Sequence, residues 1–503
     1  WWREVEPHSY GPPYFLSLER YGKILEEKLG FAIDWRTFGE YLAKVETMGI
    51  SVNYVPLVGH NAVRLAVMGM DFKRRAKPAE IEAMKKHVEE AMTSGAHGFT
   101  TNLDGVPGVG EYANTEEIIE LAKVAQKFDG IYAAHTRNCD NNYPGEIEEY
   151  GYGICHNITP AEMHLAKYYG LLEAIEVGRR ARVRTQISHL ILVYLIYQDF
   201  PKYLQEAVAK ATLEIIDKAK AEGIDIAFDI EPDPDIHAAL MAASNLIEIF
   251  FKRLTQIGSR ERFVKNLKIK AFRDELKKEM MNGKFKILMI HPKTDPYWFN
   301  RIKILVCRNK DHEGKTIGEI SHEKNMDPMD IIFDVIIEDP DTKFNCTDDR
   351  RWTEIAQRVF IQHPLCTVGM DIQALPSLKV PPYKAIWPGA GAPGLGFYGF
   401  YPRYIRKFVK EWKYLTLEEA VKKATYLPAQ RFGLEDRGLI SPGAYADILV
   451  FDFAKIAEKG TPLDPRQAPE GIHYTIVNGK VAYEKLAHTK ARPGKVLRHK
   501  YPS

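Results

Sequence analysis

Three short apolar runs, each closing on one polar residue, constrain this chain more than any other feature. They are residues 131–138 (IYAAHTRN), 185–190 (TQISHL) and 366–371 (CTVGMD), and they present His135, His189 and Asp371. An apolar run capped by a ligand-capable side chain is the pattern of a buried parallel strand whose last residue faces a reaction chamber. Two histidines and an aspartate delivered by separate strand ends can hold a divalent metal and move a proton.

The chain has 503 residues, more than one small core can organise, so one large domain and a smaller one are expected. Its 69 basic and 67 acidic side chains leave a formal charge of +2, which gives no field to attract nucleic acid or an anionic membrane. No apolar run approaches the roughly 20 residues that span a bilayer. The five cysteines (Cys139, Cys155, Cys307, Cys346, Cys366) are scattered and odd in number, which suits a reducing compartment such as the cytoplasm better than a disulfide framework. The sequence opens on Trp1, so a segment lost ahead of it is expected.

Strands and helices alternate along the chain. Asp34 reads as the N-cap of a helix carrying Phe38, Leu42 and Val45. Residues 51–58 (SVNYVPLV) and 96–103 (AHGFTTNL) read as strands separated by an amphipathic helix over 78–94. A helix over 115–126, with Glu116 and Glu117 in its first turn, leads to the strand at 131–135. Residues 139–160 form a long aperiodic loop of the kind that serves as a lid or binding loop. Helices over 162–180 and 203–222 then alternate with strands over 185–190 and 225–230. The charged stretch 240–284 is helical, 285–290 is a strand ending at His291, and the last strand of this type is 366–371. From about Gly438 the character changes to short β runs (447–451, 474–477, 480–483) with turns at Pro442-Gly443 and Asn478-Gly479. The alternation predicts a parallel (β/α) barrel over residues 1–437, with a small β domain over 438–503. Six strands belong in the ring, whereas a closed barrel of this kind needs eight.

The chain resembles the D-aminoacylase (N-acyl-D-amino-acid deacylase) branch of the amidohydrolase superfamily. The likeness runs through Pro56-Leu57-Val58-Gly59-His60 with Arg64, Tyr132-Ala133-Ala134-His135-Thr136-Arg137-Asn138 and Gln186-Ile187-Ser188-His189. It continues in Val368-Gly369-Met370-Asp371, Arg431-Phe432-Gly433-Leu434 and the tail from Ala491 to Leu497. The resemblance implies a (β/α)8 barrel with a β-sandwich built from both chain ends, of which this chain carries barrel strands three to eight. It implies one or two zinc-type ions, with His135 and His189 as metal ligands and Asp371 as the group that binds or deprotonates the attacking water.

The family's His-x-His pair on strand one and its ligating Cys on strand two have no counterpart in this sequence. A complementary polypeptide carrying those strands, bound tightly in an oligomer, is therefore expected. On the substrate side, Gly394-Leu395-Gly396 stands where the family has His-Pro-Arg, ahead of Tyr398-Gly399, and Leu190 stands where it has a lysine. The amino-acid substrate is therefore expected to differ while the chemistry persists.

The remaining candidates weigh less. His60 follows a strand and suits a structural or second-layer role at least as well as catalysis. Arg137 either orients substrate or pairs with a carboxylate, and Tyr398 is a further substrate-binding candidate. Cys139, Cys155 and His156 match no zinc-ligand spacing. Glu231, Asp233 and Asp235 read as a solvated acidic loop, and His291 and His363 as structural. The leading expectation is a metal-dependent hydrolase of an amide, cyclic amide or related C–N bond in a small molecule. The alternatives are C–C or ester hydrolysis on the same scaffold, or a non-catalytic subunit.

Overall fold

Six parallel strands, laid side by side in chain order, organise the molecule. They are β1 (Val58–Gly59), β2 (Gly98–Asn102), β3 (Ile131–His135), β4 (Arg184–Ile187), β5 (Ile226–Ile230) and β6 (Cys366–Val368). The computed structural model describes residues 34–72, 74–103, 109–137, 166–194, 200–232, 244–281, 297–346, 353–370 and 396–501. Each of the six expected ring positions contributes a strand, the first only at its far end, and the strands pair consecutively, from Val58 with Phe99 to Ile230 with Val368.

The helices between them start where local chemistry favours starting. α1 (Phe38–Met48) is capped by Thr37, whose hydroxyl accepts from the Glu40 N–H while Glu40 caps in return. Thr37, not Asp34, is thus the N-cap; Asp34 lies outside the helix and pairs with Lys44 at 2.7 Å. α2 (His60–Met68) follows β1 directly, and α3 (Pro78–Thr93) has proline in its first turn, where a missing N–H costs nothing. α4 (Thr115–Lys127) is capped by Asn114, and α5 (Ala166–Ala181) and α6 (Lys202–Ala221) complete the described β/α units ahead of β5.

Alternation along the strands separates two faces. Phe99, Tyr132, Thr185 and Ile226 share one register row and, with Phe228 two residues further on, face the helices: Phe228 packs on Phe360 at 6.2 Å between ring centres, and Thr185 lies against Gly178 of α5. The intervening residues, among them Thr100, Ala133, His135, Gln186, Asp229 and Thr367, therefore face the chamber. Gly98, two residues before Thr100, shares this face, and a Cβ there would stand 2.0 Å from the Ile131 carbonyl oxygen. Gly98→Ala is expected to push β2 from β3 and destabilise the fold by about 1–3 kcal/mol, read as a lowered thermal midpoint.

Residues 51–58 do not form the expected strand. Only Val58–Gly59 joins the sheet, and the preceding residues pair with the chain's far end instead: Gly494 N–H donates to Ile50 O, Tyr54 N–H to Lys495 O and Leu497 N–H to Tyr54 O. Between β5 and β6, residues 244–281 and 297–346 build a core of their own around Phe250, Phe263, Trp298, Ile304 and Phe333, beside an antiparallel three-stranded sheet. Reading 1–437 as one barrel unit did not separate this segment. The C-terminal sheet has four antiparallel strands, and its Asn478-Gly479 turn has positive φ at both positions (48° and 78°), as a two-residue type I′ hairpin requires. Among the described residues, no helix is long and apolar enough to cross a membrane.

Candidate active site

His135 ends β3 on the chamber side, and His189 lies just beyond the end of β4. Their rings meet edge to face, with centroids 4.5 Å apart and planes at 76°. His189 is buried and has φ 38°, a left-handed conformation that histidine adopts more readily than most residues but that still costs roughly 1–2 kcal/mol. Hydrogen bonds from both sides hold that turn. Ser188 N–H donates to Ala134 O at 3.0 Å, His189 N–H to Asp229 Oδ1 at 2.8 Å and Leu190 N–H to Asp229 O at 2.7 Å. A narrow recess beside His189 is lined by Thr136, Lys167 and Ser188 together with apolar Leu190 and Ile191. Lys167, in the first turn of α5, is buried there.

Asp229 occupies the floor of the chamber. Its Oδ2 accepts from Gln186 Nε2 at 2.8 Å, and the Gln186 amide also lies 3.4 Å from Thr367 Oγ1. The sequence reading missed both Asp229 and Lys167. The available signal for Asp229 was a charged residue at the chamber-facing step of an otherwise apolar strand. For Lys167 there was none, because periodicity does not tell a buried helical lysine from an exposed one.

Arg137 is fully buried, two residues past His135. Its guanidinium meets Glu173 Oε2 at 2.8 Å and Oε1 at 3.1 Å, and donates to Glu111 O and Ala113 O, each at 2.9 Å. Of the two roles expected for it, the geometry matches pairing with a carboxylate: Arg137 braces the segment behind His135. Gly170 of α5 packs so closely on this segment that a Cβ would stand 1.9 Å from Arg137 O.

His60 is likewise fully buried at the start of α2. Its Nε2 lies 2.7 Å from Glu117 Oε1, the other Glu117 oxygen accepts from Arg64, and its Nδ1 has no hydrogen-bond partner. Burial pushes the His60 imidazole below its ordinary value even though Glu117 pulls the other way. Burial alone would raise Glu117, but the His60 and Arg64 donors outweigh it and hold that carboxyl low. A neutral His60 donating from Nε2 to an ionised Glu117 accounts for both shifts, and makes His60 a structural group. His97 and His363 are also pushed down by burial. An imidazole depressed in the folded state leaves the unfolded chain binding more protons below about pH 6.5. Stability is therefore expected to be full above that pH and to fall as the pH drops from 7 to 5. A series of thermal melts checks this, and a rising midpoint over that interval would contradict it.

Tyr398 is partly buried on the helix Gly396–Tyr404, and burial raises its phenol although Arg466 lies beside it. Glu231 is buried, so it does not belong to a solvated acidic loop. His363 pairs with Asp217 at 3.1 Å, in keeping with a structural role. Asp371, Asp233, Asp235, Cys139, Cys155, His156 and His291 lie outside the described residues.

Residues 392–483 match the model of the amidohydrolase family. N-acyl-D-glutamate deacylase of Alcaligenes xylosoxydans xylosoxydans is 27% identical over 461 residues, covering 91% of this chain and 72% of that protein. D-aminoacylase of the same organism is 26% identical over 476 residues, covering 94% and 75%. The chain is a homologue of the D-aminoacylases. The crystal structure of N-acyl-D-glutamate deacylase from Bordetella bronchiseptica, complexed with zinc and a phosphonate inhibitor, superposes with a TM-score of 0.55 at 24% identity, covering 92% of this chain and 75% of that one. The likeness identifies the fold of this D-aminoacylase homologue as a TIM-barrel amidohydrolase fold, with the six parallel strands as part of the barrel.

The donor set of the homologue fits a zinc-type ion as far as it is described. Two imidazoles converge at adjacent strand ends, and neutral imidazole is a standard ligand of such ions. Among the described residues, no three His, Cys, Asp or Glu side chains form a group that could hold a metal ion. Asp371, expected from the sequence to bind or deprotonate the attacking water, lies outside the described residues.

Proposed function

We propose that this chain is a metal-dependent amidohydrolase that cleaves the amide or cyclic-amide C–N bond of a small molecule, with His135 and His189 as metal ligands and Asp371 as the proton carrier. The observation that carries the reading is the edge-to-face approach of the two histidine rings at 4.5 Å, one at the end of β3 and the other just past the end of the neighbouring β4. A zinc-type ion held by His135 and His189 would supply Lewis-acid polarisation of a carbonyl and a water acidified to a pKa of about 7. The Asp371 carboxylate would serve as the proton acceptor for the attacking water and the proton donor to the leaving nitrogen. Arg137 and Asp229 keep the two strand ends in register behind the histidines.

Two of the relatives are an N-acyl-D-glutamate deacylase and an N-acyl-D-aspartate deacylase, which supports an N-acyl amide substrate. The apolar Leu190 and Ile191 beside His189 support a substrate with an apolar part. β1 and β6 are the two edges of the parallel sheet among the described residues. This supports closure by two further strands between them, supplied by a complementary polypeptide or by a segment ahead of Trp1, either of which would add metal ligands. The buried free thiols of Cys307 and Cys366 support a reducing compartment.

The test is metal analysis of the purified protein by mass spectrometry, alongside amine release from a panel of N-acyl-D-amino acids, simple amides and cyclic amides. About one or two transition-metal ions per chain are expected, with amine release that a chelator abolishes. A metal-free chain that releases no amine overturns the reading. Hydrolysis of esters alone moves it to ester chemistry.

A further inference from the structure

We infer that Asp229 is the positioning residue for His189: it holds the main chain of residue 189 in the left-handed turn that aims the imidazole at His135. The inference rests on the proposed role of His135 and His189 as metal ligands.

Asp229 is on the chamber-facing side of β5, and it takes three hydrogen bonds from the end of β4. Its Oδ1 accepts the His189 N–H at 2.8 Å, its Oδ2 accepts Gln186 Nε2 at 2.8 Å, and its main-chain oxygen accepts the Leu190 N–H at 2.7 Å. The first of these is the bond that matters. The φ of 38° at His189 is unfavourable for a residue with a Cβ, and His189 is buried, so its N–H has no bulk water to fall back on. An acceptor fixed on the neighbouring strand offsets both costs. Without it the turn relaxes toward an ordinary strand extension, which moves the His189 side chain away from the His135 ring now 4.5 Å from it.

The neighbouring amide allows position to be separated from charge. Gln186 Oε1 is buried without a hydrogen-bond partner, whereas its Nε2 is used. If Asp229 became asparagine, Asn Oδ1 would still accept the His189 N–H. The Gln186 amide would then reverse, so that its oxygen accepts from Asn Nδ2. Asp229→Asn therefore keeps the geometry and removes the charge, while Asp229→Ala removes both.

The experiment uses the full chain, stripped with chelator and titrated with Co(II) by visible absorption. In parallel, hydrogen–deuterium exchange is measured over residues 186–191 in the metal-free protein. For Asp229→Ala, the Co(II) affinity is expected to fall by about 10–100-fold, the range for residues that orient a ligand from behind, and the segment is expected to exchange faster. For Asp229→Asn, both readouts should stay close to those of the unsubstituted protein. Unchanged exchange in Asp229→Ala overturns the positioning role whether or not metal binds. Equal loss of affinity in both variants also overturns it, since it would mean that the charge acts and not the geometry. If the unsubstituted protein binds no Co(II) while the exchange results are as expected, the metal reading of the site fails and the anchoring of the turn stands.

Discussion

A His135→Ala variant is expected to fold as the unsubstituted protein does and to lose at least about 100-fold in kcat/KM together with its bound metal. The imidazole ends β3 on the chamber side and is only partly buried, so its removal opens no core cavity. A residue that merely orients a metal ligand is worth about 10–100-fold, and removing a ligand itself exceeds that. Metal content, circular dichroism and amine-release kinetics on the same preparation check the prediction. Full metal content with undiminished hydrolysis would remove His135 from the site.

Glu173→Ala is expected to destabilise the protein by about 3–5 kcal/mol, because it strands a buried guanidinium. Arg137 is fully buried and Glu173 nearly so, and Glu173 also accepts from Thr115 Oγ1 at 2.8 Å. Three elements thus converge on one carboxylate: the end of β3, the start of α4 and the middle of α5. A shift of the denaturation midpoint measures the loss, and Glu173→Gln, which keeps an acceptor for Arg137, is expected to lose less. A midpoint within experimental error of the original would mean that the ion pair can be replaced by solvent.

The ring was legible because period and chemistry agreed there. The runs at 131, 185, 225 and 366 are apolar and of strand length, the first three are separated by helices of the right length, and the structure places all four side by side. His135 and His189 were legible as candidates for the same reason: each is the polar residue where an apolar run stops. Residues 51–58 were misread because their alternation is satisfied by another partner, the tail some 440 residues away. Arg137 had two readings in the sequence, and only the placement of Glu173 on α5 decides between them. Asp229 was hidden inside a strand, where its use depends on the neighbouring strand's turn. The second core, built by residues 244–281 and 297–346, was obscured because a helix packing against its own insertion has the same amphipathic pattern as one packing against a barrel.

The pairing of residues 50–54 with the tail also has a consequence for biosynthesis. The same tail reaches further in: His97 contacts the main-chain oxygens of Phe432 and Leu497, and Arg498 donates to Ser94 O while pairing with Glu46. The elements around α1, β1 and β2 emerge from the ribosome well before residues 494–499, yet their seal waits for those residues, across separations of 400 to 452 positions. Closing such a long loop costs entropy that nearby contacts do not have to offset, and it slows the final step. Until residues 494–499 are released, the early β/α units lack this seal. A nascent chain stalled short of residue 494 is therefore the species most exposed to chaperones and proteases.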